Sequence, residues 1–316
     1  MGVFHLSGLG LNPGAVTVPL TYIYFLLKQC REGDEKAIEF FKYSGEENET
    51  LKGKPEALII FTSKEVIEGK VHNEIIDKLF NTRKQKSIPY TIMRYFQNLI
   101  KGLDFKNSLF GEFGMKYLCF VEVDINNFED CYRKIYLTLK GIKGKEIECN
   151  LIGGTNQINL SLMLAGSITG VVAKYYYVFE KDNKLLHSGL IENKKQRMPV
   201  PPKNWYEIPP LFLSYGELIE ELKNIGILEK PVNVNQIKKT LEKFGLGIEK
   251  FFGRWIVIDG EKAKAGQLLR RVLNFHKNIE EETKKEEIVN FSKWKNYFKS
   301  KNWLYTFIEK GKECKK

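Results

Sequence analysis

Val3-Phe4-His5-Leu6-Ser7-Gly8-Leu9-Gly10-Leu11-Asn12-Pro13-Gly14 begins as a short apolar run and breaks into a loop of glycine, asparagine and proline. The run reads as a buried strand. From Ala15 to Cys30 the chain is apolar on all sides, with Pro19 placed near a helix start. Strand, glycine loop and buried helix form the opening unit of an open α/β sheet.

The rhythm continues outward from that unit. Ala57 to Thr62 is a continuous apolar run, suited to a central parallel strand covered on both faces. A helix is predicted from Ser87 to Ile100, a strand from Tyr117 to Val123 and a helix from Phe128 to Gly141. A strand from Ile147 to Ile152 leads into Gly153-Gly154-Thr155-Asn156-Gln157 and a small-residue helix ending near Thr169. Tyr175 to Phe179 is a further strand, and Leu185 to Leu190 an edge strand. Strands alternating with helices predict an α/β fold with a Rossmann-like, mostly parallel sheet over residues 1–197. Five of the ten prolines fall in residues 198–214, which reads as a linker. Residues 215–316 read as a smaller, mainly helical unit. Helices at Tyr215–Gly226 and Asn233–Gly245, an aromatic ribbon at Glu249–Ile258 and a helix at Lys262–Asn278 give the order of a winged helix-turn-helix. From Glu280 onward a charged helix is predicted, ending in an aromatic amphipathic segment, Trp294 to Phe307.

Composition narrows the class. The chain has 316 residues, 43% hydrophobic and 28% charged, as in a soluble globular protein. No run of about 18 uncharged apolar residues predicts a membrane span, and no secretory signal is visible. Cys30, Cys119, Cys131, Cys149 and Cys314 are scattered without a CxxC pair, which argues against a zinc site or disulfide framework and for a reducing cytoplasm. The net charge is +11, and from Pro231 onward 20 Lys+Arg face 11 Asp+Glu. Either a nucleic-acid partner, RNA or DNA, or a solvated lysine surface accounts for that excess.

Ligands of an open parallel sheet bind outside the carboxyl ends of its strands, where both glycine loops fall. Each precedes a helix, whose free N–H groups and positive dipole end attract phosphate. Gly8, Gly10, Gly153 and Gly154 let backbone approach a ligand closely. Ser7, Asn12, Thr155, Asn156 and Gln157 add neutral donors and acceptors. Pro13 departs from the dinucleotide spacing, and there is no GKS or GKT phosphate loop. The alternative is that these glycines only form tight turns.

The two loops resemble those of the CARF family, the ligand-sensing domains of type III CRISPR systems. His5-Leu6-Ser7-Gly8-Leu9-Gly10 and Ile152-Gly153-Gly154-Thr155-Asn156-Gln157-Ile158-Asn159 carry the likeness. The helix Asn159–Thr169 and the strand Lys174-Tyr175-Tyr176-Tyr177-Val178-Phe179 follow in the same order. The resemblance spans about residues 1–190. It implies a homodimer with a cyclic tetra- or hexa-adenylate across the two-fold axis and no further cofactor. Ser7, Asn12, Gly154, Thr155, Asn156 and Gln157 would touch the ring, with Lys174 at a phosphate or as a plain strand lysine. The longer, proline-bearing first loop departs from the family.

Three outputs compete. A winged helix would bind nucleic acid through Lys238, Lys239, Lys243 and Arg254, or only dimerise. A HEPN ribonuclease would use Arg271 and His276, which satisfy R-x4-H; the alternative is an ordinary surface histidine. A ring nuclease would cleave the cyclic ligand in the CARF site with Ser7 and Lys174. Outside CRISPR, an α/β enzyme on a nucleotide or sugar phosphate would use Asp124. His5 reads as a core residue, His72 and His187 as surface residues.

Overall fold

The computed structural model describes residues 2–41, 55–71, 88–97, 115–178, 205–208 and 215–314, apart from 252 and 311. The expected strand Leu185–Leu190, His72, His187 and most of residues 198–214 lie outside these.

Five parallel strands form the centre of the sheet: β1 (Val3–Gly8), β2 (Pro55–Thr62), β3 (Tyr117–Glu122), β4 (Glu146–Asn150) and β5 (Lys174–Val178). Their spatial order is β3-β2-β1-β4-β5. The chain therefore builds one way from β1 to β3, then returns past β1 to lay down β4 and β5. The switch point lies between β1 and β4, where such sheets open a crevice at their carboxyl ends. This is the Rossmann-like α/β fold expected from the alternating pattern.

Helices cover both faces because these strands are apolar on both. Phe4, Leu6, Ile59, Val121 and Cys149 point to α5 (Phe128–Gly141) and α6 (Asn156–Thr169). Leu58, Ile60, Phe120 and Tyr176 face α1 (Gly14–Arg31) and α4 (Ile88–Gln97). Two short helices, α2 (Glu35–Phe41) and α3 (Lys64–Glu68), follow α1 and β2.

The sheet does not end where the sequence pattern ends. β6 (Trp205–Ile208) pairs antiparallel with β5 inside the stretch read as a linker. Trp205 stacks on Tyr176 with ring centroids 4.7 Å apart, which fixes that strand. At the other edge, β10 (Leu304–Glu309) pairs antiparallel with β3 and β11 (Lys312–Glu313) extends it, giving eight strands among the described residues. The segment Trp294–Phe307, expected as one amphipathic helix, is thus α10 (Phe291–Ser300) followed by a strand. Leu304-Tyr305-Thr306-Phe307-Ile308 is rich in β-branched and aromatic residues, and β3 offers it an unpaired edge.

α10 is keyed onto α5. Trp294 is fully buried, and its indole N–H donates to Thr138 Oγ1 at 3.1 Å. Gly141 leaves the space: a Cβ there would lie 2.5 Å from Trp294 Cβ. Residues 291–313 therefore belong to the large sheet, which corrects the expected 215–316 unit. Between β6 and α10 lies a smaller body: α7 (Tyr215–Asn224), β7 (Val232–Asn233), α8 (Val234–Glu242), a 3-10 turn (Ile248–Phe251), β8 (Ile256–Asp259), β9 (Lys262–Ala265) and α9 (Gln267–Lys285). Its own core includes Leu218, Ile227, Ile237, Leu241, Ile256 and Leu273. The third helix starts at Gln267, because Lys262–Ala265 pairs with β8 as a ribbon.

Trp294→Ala should lower stability by about 3–5 kcal/mol, the usual loss for a buried tryptophan. A chain ending at residue 290 should fail to give the full-length cooperative unfolding transition in urea. Unchanged unfolding of both would mean that α10 and β10 are dispensable to the sheet.

Candidate functional site

The two glycine turns meet at the carboxyl ends of β1 and β4. Gly8 and Gly153 approach so closely that a Cβ on Gly153 would sit 1.9 Å from the Gly8 carbonyl oxygen. A Cβ on Gly8 would lie 2.5 Å from the Gly153 oxygen, and one on Gly154 2.8 Å from Gly8 Cα. Gly154 also has φ +85°, which glycine adopts without strain. These three glycines are required by the packing of one turn on the other. Gly10 differs, with open space where a Cβ would be.

Asn150, which sequence reasoning missed, ties the junction together. Its amide donates to Ser7 Oγ at 3.0 Å and to the Ala15 carbonyl at 2.7 Å, and its Oδ1 accepts from Ile152 N–H at 3.0 Å. The Ala15 carbonyl is available because Pro19, four residues on in α1, has no N–H to give it. A buried polar side chain at a strand's carboxyl end, opposite a mid-helix proline, was the available signal. One side chain thus joins the end of β1, the first turn of α1 and the start of the second loop.

Ser7 is correspondingly committed. It is buried, accepts from Asn150 and donates to the Gly8 carbonyl at 2.9 Å. Asn12 is exposed, and its Oδ1 accepts from Gly14 N–H at 2.9 Å at the mouth of α1. Thr155 caps α6 by position, yet its buried Oγ1 has no hydrogen-bond partner. Asn156 is exposed and Gln157 half-exposed on the first turn of α6. Gly10, Asn12, Asn156 and Gln157 are thus the open members of the expected set, while Ser7, Gly8, Gly153 and Gly154 build the junction beneath them. Further along α6, Leu160 and Leu164 are exposed at 53% and 40%, in line with Asn156 at four-residue spacing.

Lys174 is not at this mouth, which corrects its expected place at a phosphate. It stands two residues before Tyr176, the register partner of Asn150, and its ammonium pairs with Glu148 at 3.3 Å and Glu207 at 3.1 Å. Burial alone would lower its pKa, but the two carboxylates, Glu148 before Glu207, outweigh that and raise it. His5 flanks the same cluster. It is fully buried, with Nδ1 3.1 Å from the Tyr176 hydroxyl and Nε2 unpartnered. Burial, then the Lys174 charge, lowers its pKa to about 3. Ser7 and Lys174 are both held by other groups, so the structure does not assemble them as a cleaving pair.

Arg271 and His276 are not brought together either. Five helical positions place them about 140° apart around α9. Arg271 is exposed and pairs with Glu129, its Nε 3.2 Å from the carboxylate. His276 is buried against α5, with Nε2 3.4 Å from the Tyr132 hydroxyl. Desolvation, then the Lys223 charge, lowers its pKa to about 4. It is a neutral packing residue, neither the expected general acid–base nor a surface histidine. It also lines a cleft of about 520 Å³ among α5, α6, α7 and α9, with Lys140, Glu220 and Glu280.

In the small body, Lys238 and Lys239 are exposed on α8, and Arg254 is exposed before β8. Lys243 pairs with Glu221 at 3.1 Å. The segment expected as an aromatic ribbon, Glu249–Ile258, opens with the 3-10 turn Ile248–Phe251 and becomes strand only at Ile256. Residues 215–290 hold 14 Lys+Arg and 13 Asp+Glu, so the C-terminal charge excess lies beyond them. Asp124 lies at the carboxyl end of β3 in a cleft of about 510 Å³. Its Oδ1 accepts from Asn126 N–H, while nearby Asp130 is held by Lys134 at 2.9 Å. No helix among the described residues is long and apolar enough to cross a membrane.

The chain is therefore a Rossmann-like α/β protein whose switch point is built from two interlocked glycine turns. It is 37% identical over 289 residues to a protein of Archaeoglobus fulgidus described as uncharacterized, covering 87% of this chain and 89% of that one, and it belongs to that protein's family. No family model matches the sequence. Among solved structures, Enterococcus italicus Csm6 bound to cyclic hexa-2'-fluoro-hexa-dAMP aligns at 12% identity and a TM-score of 0.38. That alignment covers 87% of this chain and 52% of Csm6, so the chain spans about half of that protein's length. The likeness is too slight to carry fold or ligand across.

Asn150→Ala leaves the Ala15 carbonyl and the Ile152 N–H without their partner and should destabilise by about 2–6 kcal/mol, from about 1–3 per unsatisfied buried group. Gly153→Ala should cost at least as much. Chemical denaturation checks both, and wild-type midpoints would contradict the interlocked junction. The two buried histidines set a pH dependence. Unfolded imidazoles take up protons near pH 6.5, folded ones only near 4 and 3. The unfolded state thus binds more protons, and stability should fall as pH drops from about 6.5 toward 4. His276→Gln should flatten that slope; an unaltered slope would place the titration elsewhere.

Proposed function

We propose that the chain is a cyclic oligoadenylate sensor of the CARF kind, an accessory protein of type III CRISPR defence. One observation carries the reading: the two glycine turns that prompt the CARF resemblance interlock at the β1–β4 switch point. Helix α6 opens there, so its free N–H groups and positive end face an anion at the crevice. Gly10, Asn12, Asn156 and Gln157 line the open mouth, and the unpartnered Thr155 hydroxyl is a donor waiting for an acceptor.

The ring is shared by two copies. Leu160 and Leu164 continue the Asn156 face as an apolar stripe beside the mouth, which a two-fold partner's α6 would cover. A ring of even size then presents the same half to each copy. At its far end α6 abuts α7, where Gly216 packs on the Ile168 carbonyl. One rigid helix thus runs from the crevice to the small, winged-helix-like body, and movement at the mouth reaches it directly. Sensing without ring cleavage is favoured, since Ser7 and Lys174 are both engaged elsewhere. A second reading, an α/β enzyme on a nucleotide or sugar phosphate, draws on the Asp124 cleft at the same edge of the sheet.

Calorimetry with cyclic tetra- and hexa-adenylate tests the proposal. One ring per two chains should bind, and Asn156→Ala with Gln157→Ala should weaken binding at least tenfold. Light scattering should show Leu160→Lys with Leu164→Lys as a monomer. Absence of binding by either ring, or affinity indifferent to the paired substitution, would reject this reading.

A further inference from the structure

Four lysines of the basic C-terminal region, Lys295, Lys299, Lys310 and Lys312, lie at the amino edge of the large sheet, opposite the glycine turns. Residues 291–316 carry eight lysines and two glutamates. At this edge two carboxylates are each clamped by two ammonium groups. Glu56, near the start of β2, is 3.4 Å from both Lys116 and Lys145, which precede β3 and β4. Glu309, ending β10, pairs with Lys295 and with Lys299 at 3.5 Å.

Aromatic contacts make the two clamps neighbours. The Lys295 ammonium lies 5.0 Å from the Tyr117 ring and 5.3 Å from the Phe291 ring. Phe291 packs edge-on against Phe4, over which the Lys145 ammonium sits at 5.4 Å. Each clamp keeps one net positive charge, and its central carboxylate holds both ammonium groups in place. Exposed Lys143, before β4, and exposed Lys310 and Lys312, at the β10–β11 turn, lengthen the strip. Glu146, at the start of β4, adds one further carboxylate.

From β4 to β10 the strip crosses four strand spacings, roughly 19 Å at about 4.8 Å each. That is too long for one phosphate and suits a polyanion. A lipid surface would also require exposed leucine or aromatic anchors beside the charge; Val289 is the exposed large apolar side chain nearest in sequence. We infer that this amino-edge strip is a nucleic-acid backbone interface, separate from the expected Lys238, Lys239, Lys243 and Arg254 surface and independent of the cyclic-ligand reading.

Fluorescence anisotropy of the full chain with labelled 20-nucleotide oligo(U), oligo(dT) and a duplex tests this between 50 and 300 mM KCl, roughly the range over which phosphate contacts lose most affinity. Lys116→Ala with Lys299→Ala removes one exposed member of each clamp. About tenfold weaker binding is expected, with a salt slope shallower by about 1.4 for a single strand at about 0.7 per phosphate. Lys238→Ala with Lys239→Ala should bind as wild type. Equal loss in both double variants, no loss in the first, or binding only to phosphatidylserine vesicles would overturn the assignment. Cyclic hexa-adenylate calorimetry on the same variants keeps its failure distinct from that of the sensor.

Discussion

A single hydrogen-bonding side chain, Asn150, supports the junction of the two glycine turns. Pro19 leaves the Ala15 carbonyl without its helical donor, and Asn150 reaches across from β4 to supply one. The same amide steadies Ser7, and its oxygen turns the chain at Ile152. The glycine turns can interlock only because their flanking strands and helix are held in this way. A buried carbonyl without a donor costs about 1–3 kcal/mol, so proline and asparagine depend on each other.

The polar groups buried elsewhere are structural by the same accounting. Lys174 lies between two carboxylates, and His5 and His276 stay neutral because burial disfavours their charged forms. Each pattern suggests chemistry when read as letters. In the fold these groups close hydrogen-bond and charge balances between elements. The exposed and half-exposed members of the glycine-turn set, Gly10, Asn12, Asn156 and Gln157, are all neutral.

The small body is an insertion rather than an appendage. Its chain enters after β6 and leaves into α10, and both neighbours are bound to the large sheet. Its placement is reinforced by Arg133 with Glu282 at 2.5 Å and by His276 against Tyr132.

Local pattern alone was enough for the parallel core, since continuous apolar runs and glycine breaks depend on near neighbours in sequence. Helix Phe128–Gly141 and the two glycine turns were legible for that reason. What the pattern could not contain was pairing between distant segments. Leu304–Ile308 becomes a strand only because β3 has a free edge, and Trp205–Ile208 only because Tyr176 offers a stacking face. Asn150, Lys174 and His276 took their roles from partners up to 144 residues away. A residue's type limits what it can bond, and tertiary contact decides which bond is made, because burial removes water as the competing partner.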